Sequence, residues 1–309
     1  MIMKAIVTNE YGGPENLQLA EVPRPKVGPD QVLVRVRAAG VNPVDWKVAK
    51  GWLDPMMYVH FPLIPGWDAA GVVAELGADT PEFSVGDEVL GYVRRDEVGH
   101  GTYAEYIAAP ARTLARKPAA LGFREAAALP LAGLTALRSL DRVGAGDGET
   151  VLIHGGAGGV GSLGVQLAVL RGARVIATAS ERNHEFLRSL GAEPVTYGDG
   201  LADRVREIAP DGVDAALDFA GGGAVHVSRD VLKDAARSAS IADGDVQKLG
   251  GQVVWVRPDA AGLAQLAELA AAGKLTVHVD AALPLAEAAE AFRRSESGRT
   301  RGKLVLDVP

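Results

Sequence analysis

The sequence predicts an α/β protein in two parts, a β-rich barrel or sandwich followed by a doubly wound parallel sheet of six strands. Three observations carry this. Up to about residue 117 the chain is a series of short Val-rich segments cut by Gly, Pro and Asp, the pattern of short strands joined by turns. From residue 149 onward apolar strands alternate with helical stretches, as parallel strands with crossover helices do. A run of glycines stands between the first strand and first helix of that second part.

In the first part, segments 4–8, 31–38, 71–76 and 88–93 read as strands, separated by GGP at 12–14, PRP at 23–25, GPD at 28–30 and GD at 86–87. The stretch QVLVRVR from Gln31 alternates with period two, the mark of a half-buried strand. Residues 121–140 are rich in Ala and Leu and read as helix. The strands of the second part fall at 151–154, 174–180, 194–197, 213–219, 238–242 and 252–256, with helices at 160–171, 185–190, 201–208 and 225–232 between them. The tail supplies helices at 260–272 and 286–294 and a last strand at 303–307. The texture of the sequence changes near Pro118.

Composition narrows the function. A chain of 309 residues suggests about two domains and can bury its cores without staples. It contains no Cys, which removes disulfides, thiolate metal sites and Cys nucleophiles together. A net charge of −7 speaks against a nucleic-acid partner. No run of about 18 apolar residues exists to cross a membrane, and MIMKAIVTNEYGG is not a signal peptide; a cytoplasmic protein is expected. No G-x-S-x-G elbow is present. The six His are spread from His60 to His278, the nearest two thirty positions apart, so no helical metal pair exists.

The stretch VLIHGGAGGVG at 151–161 holds G-x-G-x-x-G as Gly156, Gly158 and Gly161, with Ala157, Gly159 and Val160 between them. Strand before and helix after make this the Rossmann dinucleotide turn. Gly156 is expected to permit the tight turn, Gly158 to let backbone approach a pyrophosphate, and Gly161 to let helix pack on sheet. The helix N-terminus then offers free N–H groups and positive potential. Ser180, small and neutral, stands where an acidic residue would hold the ribose of NAD, and Arg182 and His184 follow. These favour NADP(H), with Glu181 as the residue that argues for NAD. Asp218, Phe219, Ala220 and Gly221 end the fourth strand, on the ligand-binding side of an open α/β sheet.

Taken in order, AGVNPVD at 39–45, PGWDAAGVV at 65–73, VGDEV at 85–89, GTYAEY at 101–106, ALPLAGLTA at 128–136, the glycine turn and RGKLV at 301–305 resemble the medium-chain dehydrogenase/reductase superfamily. Within it the chain resembles the zinc-independent quinone oxidoreductase (zeta-crystallin-like) branch. The resemblance implies a split first domain, a GroES-like barrel over 1–117 with 259–309 returning to it, a Rossmann domain over 118–258 and an active site in the cleft between them. Zinc relatives carry Cys in the loop here occupied by VNPVDWK at 41–47 and Gly-His-Glu where Gly66, Trp67 and Asp68 stand; no zinc is expected. The implied activity is hydride transfer from NADPH to a quinone or an α,β-unsaturated carbonyl, whose developing oxyanion neutral donors can stabilise.

The resemblance further points to Asn42 as a substrate-side donor and to Thr135 beside the nicotinamide. It also points to Tyr197 at the adenosine end, to Val256 and Arg257 near the carboxamide, and to Gly302 and Lys303 lining the cofactor. Trp46, Tyr58 and Trp67 are candidate walls of a flat apolar pocket, and Asp45 with Lys47 reads as a solvated pair. The segment 251–258 reads as an edge strand, and relatives pair such edges, so a homodimer near Val253 to Val256 is expected. The rival functions are a polyketide or acyl enoyl reductase and a non-catalytic NADPH-binding sensor.

Overall fold

The computed structural model describes all 309 residues. The chain divides into two compact units, residues 1–134 with 257–309, and residues 135–256. In chain order the first unit begins with β1 (Ile2–Val7), β2 (Gln18–Pro23), β3 (Gln31–Val41), α1 (Pro43–Ala49), β4 (Tyr58–Ile64) and β5 (Asp68–Leu76). It continues with β6 (Glu88–Tyr92), β7 (Glu97–His100), β8 (Tyr106–Pro110), β9 (Leu114–Arg116) and α2 (Phe123–Ala128). Helix α3 (Pro130–Val143) starts in the first unit and ends in the second.

The second unit follows with β10 (Thr150–His154), α4 (Gly159–Leu170), β11 (Arg174–Ala179), α5 (His184–Ser189), β12 (Ala192–Thr196) and α6 (Leu201–Ile208). It closes with β13 (Ala215–Asp218), α7 (Ala224–Val231), β14 (Ser238–Ser240), α8 (Asp245–Lys248) and β15 (Gln252–Val253). The chain then returns to the first unit as α9 (Ala260–Ala271), β16 (Val279–Pro284), α10 (Ala288–Glu296) and β17 (Lys303–Asp307).

The first unit is built on a seven-stranded sheet in the order β16-β17-β3-β5-β6-β9, with β8 also paired to β3. Two small ribbons, β1 with β2 and β4 with β7, complete it. The period-two run from Gln31 makes β3, which reaches Val41 rather than stopping at residue 38, because Ala39 and Gly40 pair with both β5 and β17 and Val41 pairs with β17. Its inward side chains, Val32, Val34 and Val36, join Ile6, Tyr103, Phe292 and Leu306 in one buried cluster. The tail is part of this core: Phe292 of α10 is 1% exposed and its ring lies 6.0 Å from that of Tyr103. Residues 118–134, placed by the sequence with the nucleotide domain, fall in the first unit, where α2 packs on β3 and β5.

The second unit is a parallel sheet in the order β12-β11-β10-β13-β14-β15, six strands as expected. This is the doubly wound order in which the connection reverses beside the first strand, leaving a ligand crevice at the carboxyl ends of β10 and β13. Two expectations need correction. The single helix at 121–140 is two, α2 and α3, parted at Leu129: Leu129 keeps a right-handed helical backbone (φ −83°, ψ −40°), but Pro130 has no N–H with which to continue the ladder of α2. The strand at 252–256 is regular only at Gln252 and Val253.

Truncating Phe292 to Ala removes a fully buried ring from the clasp between α10 and the barrel. The expected loss in urea unfolding is about 3–5 kcal/mol. A loss below about 1 kcal/mol would show that the returning tail is not part of this core.

Candidate functional site

The second unit holds the cradle. Strand β10 ends at His154, and α4 begins at Gly159 with Gly158 as its N-cap. No side chain caps that end, so the first-turn N–H groups remain available to an anion. The turn itself corrects one assignment: Gly155, not Gly156, has the left-handed backbone, with φ +73°. A Cβ on Gly156 would instead lie 2.8 Å from Ala177 Cβ, and one on Gly161 would lie 2.1 Å from Gly155 O. Those two glycines allow close packing inside the turn. A Cβ on Gly158 would meet only Gly155 O, at 3.4 Å, so this is the face a pyrophosphate can approach. Ala157 is buried, and Val160, in the first turn of the helix, is half-buried.

The neighbouring strand ends complete the crevice. Phe219 N–H donates to His154 O at 3.2 Å, and Ala220 lies against Gly155. Asp218 holds this loop: Oδ1 accepts from Ala220 N at 2.9 Å and Gly221 N at 2.8 Å, while Oδ2 accepts from Ser240 Oγ at 2.7 Å. Ser240 Oγ in turn accepts from the N–H groups of Ala242 and Asp243, at 3.0 and 2.9 Å. Ser180 follows β11, where Asn183 donates to its hydroxyl at 3.4 Å. Glu181 and Arg182 are both exposed beside it. His184 Nε2 is 3.4 Å from Thr196 Oγ1, and Tyr197, just past β12, is exposed. Val256 is half-buried and Arg257 is exposed. Thr135 is buried in α3, where its carbonyl accepts from Ser139 Oγ at 2.7 Å.

The first unit holds a buried polar cluster at the ends of three adjacent strands, β17, β3 and β5. Asn42 follows β3 directly. Its Nδ2 donates to Asp68 Oδ2 at 2.9 Å, and its Oδ1 accepts from Lys303 Nζ. Lys303 Nζ also donates to Val41 O at 2.8 Å, and Asp68 Oδ1 accepts from Leu131 N at 3.0 Å. Below this row Asp45 Oδ2 accepts from Asn42 N–H and from Tyr103 OH, both at 2.8 Å. Asn42, Asp45, Asp68, Tyr103 and Lys303 are all buried.

Two sequence expectations change here. Asp45 does not form a solvated pair with Lys47; it is 2% exposed and anchors the start of α1. Lys303, expected to line the cofactor, spends its ammonium on Val41 and Asn42 within the first unit. Gly302 beside it is fixed by φ +74° and by His278 O, only 2.3 Å from where a Cβ would stand.

Burial dominates the electrostatics. It pushes Asp45 up to about 7 and Asp68 up to about 6, and it lowers Lys303. Asp68 accepts two N–H groups, whereas Asp45 Oδ1 has no hydrogen-bond partner. A buried ionised oxygen without a donor is costly, so of the two carboxyls Asp45 is the one that holds its proton to higher pH. Lys303 and Asp68 then balance one another. Tyr103 is raised well above its ordinary value, first by burial and then by Asp45.

The candidate pocket aromatics divide. Trp67 is a core side chain, 5% exposed, with its ring 6.2 Å from Tyr92. Tyr58 is 78% exposed at the start of β4. Trp46 is half-buried, donates Nε1–H to Ser295 Oγ at 3.2 Å and meets Trp52 edge-on at 5.4 Å. The sequence signals for the overlooked residues are modest. Asp45 stands three positions after Asn42, the capping-box spacing, and Asp68 is the one acid in the small-residue run DAAGVVA.

The alcohol dehydrogenase GroES-like domain family matches residues 28–119, and the zinc-binding dehydrogenase family matches residues 190–306. The chain is 33% identical to the chloroplast envelope quinone oxidoreductase homolog of Arabidopsis thaliana, over 99% of this chain and 98% of that protein. The chain belongs to the medium-chain dehydrogenase/reductase superfamily, in its quinone oxidoreductase branch. It is also 35% identical to the NADPH-dependent alkenal/one oxidoreductase of A. thaliana chloroplasts, over 98% of this chain and 79% of that protein. The solved quinone oxidoreductase of Coxiella burnetii superposes with a TM-score of 0.90 at 35% identity, covering 100% of both chains. No helix is long and apolar enough to cross a membrane.

The protonated Asp45 has a measurable consequence. Its raised value means that the stability it contributes is full below about 4, where the unfolded chain also binds the proton, and is lost as pH rises through about 7. The melting temperature should therefore fall between pH 5.5 and 8. Asp45→Asn, which keeps an acceptor for Asn42 and Tyr103, should flatten that slope and melt above the parent at pH 8. A parent protein whose melting temperature is flat or rising over this range would show Asp45 ionised.

Proposed function

We propose that this oxidoreductase uses NADPH, without zinc, to deliver hydride to a quinone or an α,β-unsaturated carbonyl. The observation that carries the proposal is the donor set of the buried cluster. Where a zinc enzyme would offer thiolate and imidazole, this chain offers the amide of Asn42, bounded by Asp68 and Lys303. No three His, Asp or Glu side chains gather as metal ligands. An amide can donate to an oxyanion that resonance has already spread; alcohol oxidation asks for a Lewis acid. The names of the quinone and alkenal/one oxidoreductase relatives support the same substrate class.

Bound reduced nicotinamide supplies the hydride. The uncapped N-terminus of α4, with Gly158 leaving its approach open, would hold the pyrophosphate. Ser180 leaves room for a 2′-phosphate and Arg182 gives it a cation, with Tyr197 at the adenosine end. Asn42 has one Nδ2 hydrogen left after Asp68 has taken the other, and this is the donor assigned to the acceptor's oxygen. Thr135 is assigned to the nicotinamide side. The one proton that accompanies the hydride comes from solvent, onto the α-carbon of the enolate or the anionic oxygen of the hydroquinone monoanion. A two-fold dimer through β15, the sheet's edge strand with Val253 and Trp255 exposed, completes the proposal.

Stopped-flow mixing of the NADPH complex with 1,4-benzoquinone, 9,10-phenanthrenequinone, crotonaldehyde and an enoyl thioester tests the chemistry. Rapid loss of NADPH absorbance with a quinone or enal is expected. Tight binding without oxidation by any of them would point to a sensor, and oxidation by the thioester alone to an acyl enoyl reductase. Arg182→Glu should shift the preference from NADPH toward NADH by about tenfold; an unchanged ratio would remove Arg182 from 2′-phosphate recognition. Sedimentation equilibrium should give twice the chain mass of 32.1 kDa, and a monomer at micromolar concentration would refute the dimer.

A further inference from the structure

We propose that Asp68 is a positioning residue for hydride transfer, setting both Asn42 and the helix that carries Thr135; this rests on the assignment of Asn42 and Thr135 to the reaction. Asp68 opens β5 beside Gly40 of β3. Its two oxygens are committed to two different elements. Oδ2 fixes the Asn42 amide at 2.9 Å, and Oδ1 accepts the Leu131 N–H at 3.0 Å. Leu131 is the second residue of α3, a helix of 14 residues. First-turn N–H groups of a helix need acceptors from outside it, and a carboxylate there also meets the positive end of the helix dipole. Thr135 lies four residues further on, one turn along the same face.

Asn42 is held from the other side by Lys303, so its amide has one orientation only. Turning it over would set its oxygen against Asp68 and its NH2 against the Lys303 ammonium. One carboxylate thus decides which hydrogen Asn42 has left to donate and where the first turn of α3 stands. Both groups need placement to within about 1 Å for the reaction, since errors of that size cost roughly 100-fold in rate.

Asp68→Asn keeps the shape and places a second amide against Asn42 and Leu131, where at least one donor loses its acceptor. The expected result in single-turnover mixing is a fall of about 100-fold in hydride transfer, with the Kd for NADPH changed by less than about twofold. A pH profile separates this from a merely structural role. In the parent protein the rate should fall on the acid side with a midpoint near 6 as Asp68 protonates. The groups facing Asp68 are Lys303 from β17, Asp45 from α1, Tyr103 from the segment between β7 and β8, and Tyr92 from β6, with Arg94 beyond Tyr92. Asp45→Asn should retain the acid limb, and Asp68→Asn should lose it.

Parent-like hydride transfer in Asp68→Asn, or an acid limb that survives the substitution, overturns the inference. Should that variant fail to fold, the parent profile alone decides: a rate flat from pH 5 to 8 also overturns it. Asn42→Ala transferring hydride as fast as the parent would show that Asp68 does not act through Asn42. A parent protein that binds NADPH and oxidises it with no acceptor would instead bring down the proposed function itself.

Discussion

An ammonium group buried at the end of β17 must be met by charge or by well-placed oxygens, because leaving it alone would cost several kcal/mol. Lys303 is met by Val41 O, by the Asn42 amide oxygen and, through that amide, by the Asp68 carboxylate. The resulting row runs in the strand order β17, β3, β5. It ties the last strand of the chain to two strands from its first quarter and hands the charge on to the start of α3. Breaking it at either end leaves an unpaired buried charge, which is more costly than never having built the row.

The layer beneath depends on that row. Asp45 reaches the backbone of Asn42, so helix α1 starts where the row places it. Tyr103 donates to Asp45 and presses its ring toward Phe292, so α10 is seated on the same group of side chains. A polar cluster of this kind contributes specificity of register as much as stability. It holds three strand ends level, and of its two carboxyls Asp45 holds its proton to higher pH. In the second unit Asp218 does comparable work with backbone N–H groups, holding two loops at the carboxyl ends of β13 and β14.

The chemistry follows from what each unit offers. The second unit presents free helix N–H groups and an open glycine face, suited to a pyrophosphate. The first presents an amide whose polarity is set by a cation at its oxygen and an anion at one N–H. On the proposed function, such a donor suits an oxygen on which charge is delocalised, as in a quinone or an enone receiving hydride.

How much of this was legible in the sequence depended on the range of the interaction. The glycine turn, the alternation of β3, the succession of six parallel strands along the chain and the family resemblance are local or periodic, and the residues alone determined them. Element ends were less legible: the break before Pro130 was written in the sequence, whereas the extension of β3 to Val41 came from strands far away in the chain. From the sequence, Asp45 read as half of a solvated pair with Lys47, Asp68 as the residue standing where zinc relatives carry Glu, and Lys303 as a cofactor-lining residue. Only tertiary structure brought them together, since their partners lie up to 262 positions apart. Burial, which raises both carboxyls and lowers the lysine, is a property of the packed sheet and of no segment of it.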